Sequence, residues 1–184
     1  MKKLPVTGST LTYTASYCYV CQKGFYPTQL DKANQDSYLI LENLVDDDSC
    51  HLFGVFDGHG ETGDLCSYFA ANQFGYSLCK ELNAFGGTKA FEGANMEKLY
   101  TSAFVKTNRL LKQSSIDDSL SGTTGVTILL QGDNLYVGNV GDSRAIIASE
   151  IDGSLRYSAL SSDQTPFRKD ERERLKLKGA SIFT

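Results

Sequence analysis

The chain is short of several features that would assign it elsewhere. No apolar run approaches the roughly 18 residues that a membrane-spanning helix needs, and Met1-Lys2-Lys3 has no apolar stretch behind it, so no signal peptide is expected. Residue 2 is Lys rather than Gly, which removes a myristoylation signal. There is no basic surplus: the net charge of -4 argues against a general nucleic-acid binder. Only three prolines occur and no internal repeat or low-complexity linker is found, so a domain break inside the 184 residues is not expected. The five cysteines are odd in number and no leader precedes them. Reduced thiols in a cytoplasmic or nuclear protein follow.

What is present is ordinary for a globular domain, with 41% hydrophobic and 22% charged residues. Residues 10–22, rich in Thr, Tyr and Val, predict a strand. Within it Cys18-Tyr19-Val20-Cys21 is formally a C-x-x-C. Strand alternation would turn the two thiols to opposite faces, and no second C-x-x-C exists to close a zinc site, so a structural role is expected. Further strands are expected at Asp36–Leu41 and His51–Phe56, flanking the acidic loop Asp46-Asp47-Asp48-Ser49. That loop lacks the ligand alternation, Gly and terminal Glu of an EF-hand. Apolar residues at helical spacing predict a helix over Thr62–Leu82 and a second, cleaner one over Ala94–Gln113, with a connection at Asn83–Gly93. Strands then follow at Thr124–Gln131, Leu135–Val140, Arg144–Ser149 and Leu155–Ala159, joined by the turns Gly132-Asp133-Asn134 and Asp152-Gly153. A charged helix is expected over Arg168–Lys178. Short turns between successive strands imply antiparallel sheets. The fold class expected is α+β: a layered sandwich of antiparallel β-sheets with helices.

Four segments have the residue types for chemistry. In Val55-Phe56-Asp57-Gly58-His59-Gly60 an apolar strand ends in a carboxylate and two glycines let the backbone turn and approach closely. A carboxylate beside an exposed carbonyl suits a hard cation such as magnesium or manganese, and the adjacent His59 suits proton transfer near neutral pH. Asp-Gly is also a common turn dipeptide, so a plain turn is the competing reading. Asp36 precedes a strand. If that strand pairs with the one ending at Asp57, the two carboxylates come close and repel unless a cation lies between them. Ser121-Gly122-Thr123-Thr124-Gly125 is either a phosphate cradle or a tight hydroxyl-bearing turn, and is not a P-loop. In Gly141-Asp142-Ser143-Arg144, Asp142 is a further candidate ligand, or Asp142 and Arg144 order the turn.

Taken in order, Asn34-Gln35-Asp36-Ser37, Val55-Phe56-Asp57-Gly58-His59-Gly60, Ser121-Gly122-Thr123-Thr124, Asn139-Val140-Gly141-Asp142-Ser143-Arg144-Ala145 and Ser162-Asp163-Gln164-Thr165-Pro166 resemble the metal-dependent type 2C protein serine/threonine phosphatases. The resemblance implies two antiparallel β-sheets flanked by antiparallel α-helices. It implies hydrolysis of phosphoserine and phosphothreonine in a phosphorylated protein substrate, through a water activated by two magnesium or manganese ions. By the resemblance, Asp57 corresponds to the bridging ligand and Gly58 to a carbonyl ligand. Asp36 corresponds to a carboxylate holding a metal-bound water, Asp142 to a ligand of a weaker third site, and His59 to the general acid.

Two departures stand beside these matches. Gln35 replaces a frequent Glu, and Lys32 occupies the region of the family's phosphate-binding Arg, without its forked geometry. Two further metal-binding aspartates and a flap that the family carries downstream have no counterpart before Thr184. The expectation is therefore a single incomplete phosphatase-like domain over 1–184, truncated at the C-terminus, with weak or no activity alone and an exposed sheet edge prone to self-association. Alternatives are a non-catalytic pseudophosphatase or regulatory binding module of the same fold, or a simple divalent-metal domain. The stretch from Lys23 to Asp36 is similar to phosphatase domains fused to kinase and cyclic-nucleotide-binding domains.

Overall fold

The structure, a computed structural model, describes residues 1–8, 12–87 and 95–182. Its centre is one antiparallel sheet. Strand β3 (Asp36–Leu41) pairs with β4 (Cys50–His59), β4 with β6 (Gly125–Gln131), and β6 with β7 (Asn134–Val140); a two-residue strand β5 (Gly122–Thr123) pairs with the far end of β4. Two separate hairpins accompany it: β1 (Lys2–Thr7) with β2 (Thr12–Tyr17), and β8 (Ile146–Ile151) with β9 (Ser154–Ala159). The helices are α1 (Gly63–Ala84), α2 (Asn95–Gln113) and α3 (Lys169–Leu177). The α+β class and the antiparallel pairing are as the sequence implies.

Alternation along β4 sorts its residues by face. Cys50, Leu52 and Phe56 are buried and join Phe74, Leu78 and Leu82 of α1, Leu99, Tyr100 and Ala103 of α2, and Leu129 of β6 in one core. Phe74 lies at its centre, with ring centroids 4.4 Å from Phe104 and 5.9 Å from Tyr100. Val55 and Asp57 point to the other face and are exposed. The buried stripe of α1 keeps Phe74, Leu78 and Leu82 and adds small residues. Leu65 is 49% exposed, while Gly63, Cys66, Ser67, Ala70, Ala71 and Gly75 are buried. Small residues let this helix ride close on β3: a Cβ on Gly75 would come within 2.8 Å of a Leu41 methyl carbon. The large residues of α1 fill the core, and the small ones set its closest approach to the sheet.

Other boundaries shift for local reasons. The strand expected over residues 10–22 ends at Tyr17, and its first residues, up to 11, lie outside the described part; β1, its partner, was not foreseen. The β1–β2 hairpin buries Leu4 and Val6 and is tied down by the Tyr17 hydroxyl on Glu42 Oε1 (2.6 Å) and the Tyr13 hydroxyl on the Gly132 carbonyl (2.7 Å). Ala94 and most of the expected connection (88–93) also lie outside the described residues, and Asn83 belongs to α1. The strand expected to end at Phe56 continues through His59, because β5 extends the ladder beyond the point where β6 stops. The strand expected from Arg144 begins at Ile146 instead.

Phe74→Ala removes a fully buried ring that links α1, α2 and the sheet. It is expected to lower unfolding stability by about 3–5 kcal/mol, measured as the shift in urea midpoint at unchanged slope.

Candidate active site

Asp57 does not sit in a turn, as the dipeptide suggested. It lies within β4, directly opposite Asp36 of β3 in the antiparallel register. The pairing that the sequence left conditional therefore exists, and it brings the two carboxylates together. The turn comes later, at Gly60, whose φ of +84° falls in the left-handed region that favours glycine.

Gly58 is held more tightly still. Its N–H donates to the Gln35 carbonyl at 3.0 Å. A Cβ placed on it would lie 2.1 Å from the Gly63 carbonyl oxygen and 2.5 Å from that of Gln35. Only glycine fits where β3, β4 and the first turn of α1 converge. In an antiparallel ladder a residue's N–H and C=O leave the same side of its strand, so the Gly58 carbonyl lies on the edge toward Gln35 and Asp36.

Hydrogen bonds join this centre to the other distant segments. The Asp57 N–H donates to Thr124 Oγ1 (3.0 Å), and the Thr124 N–H donates to the Asp57 carbonyl (2.9 Å). Thr124 Oγ1 in turn lies 2.6 Å from Ser143 Oγ. Ser143 follows Asp142, whose charge acts on Asp57. The Gly141 carbonyl accepts from the Gln164 N–H (2.9 Å), and Arg144 makes a two-pronged ion pair with Asp163 (2.9 and 2.7 Å). Arg144 thus orders the Asp142 turn by reaching Asp163, not through Asp142 itself. On the other side Gln35 Nε2 donates to the Gly60 carbonyl (2.6 Å), and Ser67 Oγ of α1 to the Gln35 carbonyl (2.6 Å). The structural parts played by Thr124, Ser143 and Asp163 had no assignment from the sequence. Their only signal there was hydroxyls and a carboxylate in turns that otherwise read as loop chemistry.

Electrostatics single out Asp57. Burial and then the nearby Asp36 and Asp142 charges push its carboxyl above the ordinary value, with His59 opposing. His59 lies on β4 two residues on, opposite Gly122, and is exposed. The Lys32 ammonium sits over the Tyr26 ring, 4.1 Å from the centroid, a cation–π contact. Among the described residues no three His, Cys, Asp or Glu side chains converge as a ready metal cluster. The available donors are therefore Asp57 and Asp36 with backbone oxygen. Hard oxygen donors and carboxylates that repel each other fit magnesium or manganese.

The fold and site define a class: an antiparallel α+β domain presenting an Asp-Gly-His strand end opposite a second aspartate. The protein phosphatase 2C pattern matches residues 28–184, and the chain belongs to that family. It is 44% identical over 168 residues to probable protein phosphatase 2C 35 of Arabidopsis thaliana, covering 91% of this chain and 46% of that protein. It is 33% identical over 175 residues to probable protein phosphatase 2C 59 of Oryza sativa subsp. japonica, again covering 91% and 46%. The chain thus spans about half the length of these relatives. Among solved structures, a serine-threonine phosphatase 2C from Toxoplasma gondii superposes with a TM-score of 0.65 at 22% identity, covering 79% of this chain and 50% of that one. At that identity the likeness speaks for the fold.

Two outcomes test this geometry. A carboxyl whose folded pKa is raised contributes stability fully present below its ordinary pKa of about 3.9, lost as pH rises through the raised value. In chelator the Asp57 contribution to thermal stability, read as the difference from Asp57→Asn, is therefore expected to fall as pH rises above about 4. Manganese should restore the wild-type melting temperature near neutral pH. Gly58→Ala is expected to cost about 1–3 kcal/mol by overpacking, measured by urea unfolding, and to weaken manganese binding in calorimetry.

Proposed function

We propose that the protein of which this chain is part is a metal-dependent serine/threonine phosphatase acting on phosphorylated proteins. The observation that carries this reading is the register placing Asp36 opposite Asp57, with Gly58 and His59 following on the same strand. In it, Asp57, Asp36 and the Gly58 carbonyl hold magnesium or manganese, and Asp142 serves a further, weaker site. When bound, such ions activate water as a nucleophile and neutralise charge on the phosphoryl oxygens.

The chain's own residues then divide the remaining work. Asp57 and Asp36 fix where the positive charge sits, and the Thr124 and Gln35 contacts hold them there. His59, exposed beside that centre, gives a proton to the departing serine or threonine oxygen. An alcohol is a poor leaving group, so this proton matters more for a peptide ester than for an aryl phosphate. Lys32 attracts phosphate only after leaving the Tyr26 ring, as a point charge. With the residues present here, the 184-residue chain turns over weakly. Attached kinase or cyclic-nucleotide-binding domains in the whole protein remain part of this proposal.

A second reading, a binding module of the same fold, draws on two observations: Lys32 is engaged by Tyr26, and Gln35 by the Gly60 carbonyl. The deciding experiment uses single-turnover hydrolysis with excess chain and manganese. A phosphothreonine peptide should be hydrolysed slowly and chelator should stop it. His59→Gln should slow the peptide about 100-fold while changing p-nitrophenyl phosphate hydrolysis little. No manganese binding by calorimetry and no peptide hydrolysis would favour the binding module.

A further inference from the structure

The Cys18-Tyr19-Val20-Cys21 segment was expected to lie in a strand with its thiols on opposite faces. The structure removes that objection, because β2 ends at Tyr17. Among the described residues no backbone hydrogen bond fixes residues 18–22, and both thiols are free and exposed. A strand would separate residues three apart by about 10 Å, too far for a disulfide, whose Cα atoms lie within about 7 Å. With no ladder hydrogen bond to break, closing that gap costs only side-chain contacts of this segment.

The segment is also wired to the candidate metal site. Asn34 Nδ2 donates to Cys21 Sγ at 3.2 Å, and the Cys21 thiol donates to the Asp36 carbonyl at 3.6 Å. Asn34 Oδ1 accepts from the Asp36 N–H at 3.2 Å. Cys21 thus touches both groups that set the start of β3. Tyr19 stacks on Tyr38 of β3, with centroids 4.4 Å apart, and holds the segment against the strand. A cavity of about 550 Å³, lined by Cys18, Cys21, Asp36, Tyr38, Val55 and Arg144, opens beside the pair and admits a small oxidant.

We infer that Cys18 and Cys21 form a reversible dithiol–disulfide site whose oxidation releases Asn34 and Asp36 from Cys21 and weakens the metal-binding edge of β3. With a small disulfide such as glutathione disulfide as oxidant, one thiolate attacks it, forming a mixed disulfide and releasing one glutathione thiol. The second thiolate attacks the protein sulfur of that mixed disulfide and releases the other glutathione thiol. Two thiols are oxidised, one disulfide is reduced, and an intramolecular S–S bond replaces the external one. In that bond Cys21 no longer carries the hydrogen it donates to Asp36. The other three cysteines are poor competitors: Cys50 and Cys66 are buried, and burial pushes the Cys50 thiol up to about 12 and raises those of Cys66 and Cys79 as well.

The consequence for metal rests on the phosphatase reading; the disulfide and its effect on β3 do not. The test equilibrates the 184-residue chain with glutathione redox buffers. Of the five thiols, two should be lost together, leaving three on counting after unfolding, with no glutathione retained by mass. Cys18→Ser should abolish this loss. Amide resonances of Asn34, Asp36 and Asp57 should shift on oxidation and return on reduction, while those of α2 stay. Manganese affinity should fall about 10-fold on oxidation, the size of effect typical when a group supporting a ligand is lost. Retention of five thiols, a lasting mixed disulfide, or a disulfide without shifts at Asn34 and Asp36 would each overturn the inference. If neither redox state binds manganese but the shifts occur, the dithiol site stands and the metal reading of Asp57 falls.

Discussion

The site depends on one steric constraint: at Gly58 three backbones meet with no room for a side chain. The Gln35 carbonyl, at the approach to β3, and the Gly63 carbonyl, at the first turn of α1, both press on the position a Cβ would occupy. That contact fixes the height at which α1 starts above the sheet and the register in which β3 meets β4. Because side chains alternate with a period of two, a slip of one residue would turn Asp36 or Asp57 to the opposite face. The proximity of two like charges is thus enforced by packing around a residue that carries no charge.

Around that point the five segments that carry the resemblance prove to be one connected network. Asp57 reaches Thr124, Thr124 reaches Ser143, and Gly141 and Arg144 reach Gln164 and Asp163. Gln35 closes the other side onto Gly60. Residues that look like turn chemistry in sequence serve as ties between turns. Such ties hold a costly arrangement in place: the Asp57 carboxyl is raised by partial desolvation and neighbouring carboxylates, while its N–H and C=O are both engaged by Thr124.

How much of this was legible in the sequence follows from range. Asp36–Leu41 and the helix over Asn95–Gln113 were readable because their patterns are local and strongly periodic. The pairing of Asp36 with Asp57 was readable only as a condition, since nothing local sets register across 21 residues. In α1 the large apolar residues Phe74, Leu78 and Leu82 were legible, whereas the Gly, Ala, Ser and Cys that complete its buried face were not, because periodicity rewards large apolar residues. The Lys32 contact was hidden for a related reason. Its place in the sequence suggested a phosphate, while its ammonium finds the Tyr26 ring, a partner six residues away in an irregular segment. The hydroxyl ties were illegible because Thr and Ser in a turn satisfy their own backbone as readily as a remote one.

The β8–β9 hairpin differs from the other described strands. Every residue of both strands is exposed, and the hairpin is anchored at its root by the Arg144–Asp163 fork and by Ala145 and Leu160. Elements with little buried apolar area open at a small fraction of the global unfolding free energy. The strands of this hairpin are therefore expected to open more readily than β3, β4 and β6. Asp142 sits at that root, whereas Asp36 and Asp57 belong to the persistent sheet. Of the three aspartates, Asp36 and Asp57 thus face each other across paired strands, whereas Asp142 is placed by a turn that the Ser143–Thr124 and Gly141–Gln164 contacts tie to its surroundings.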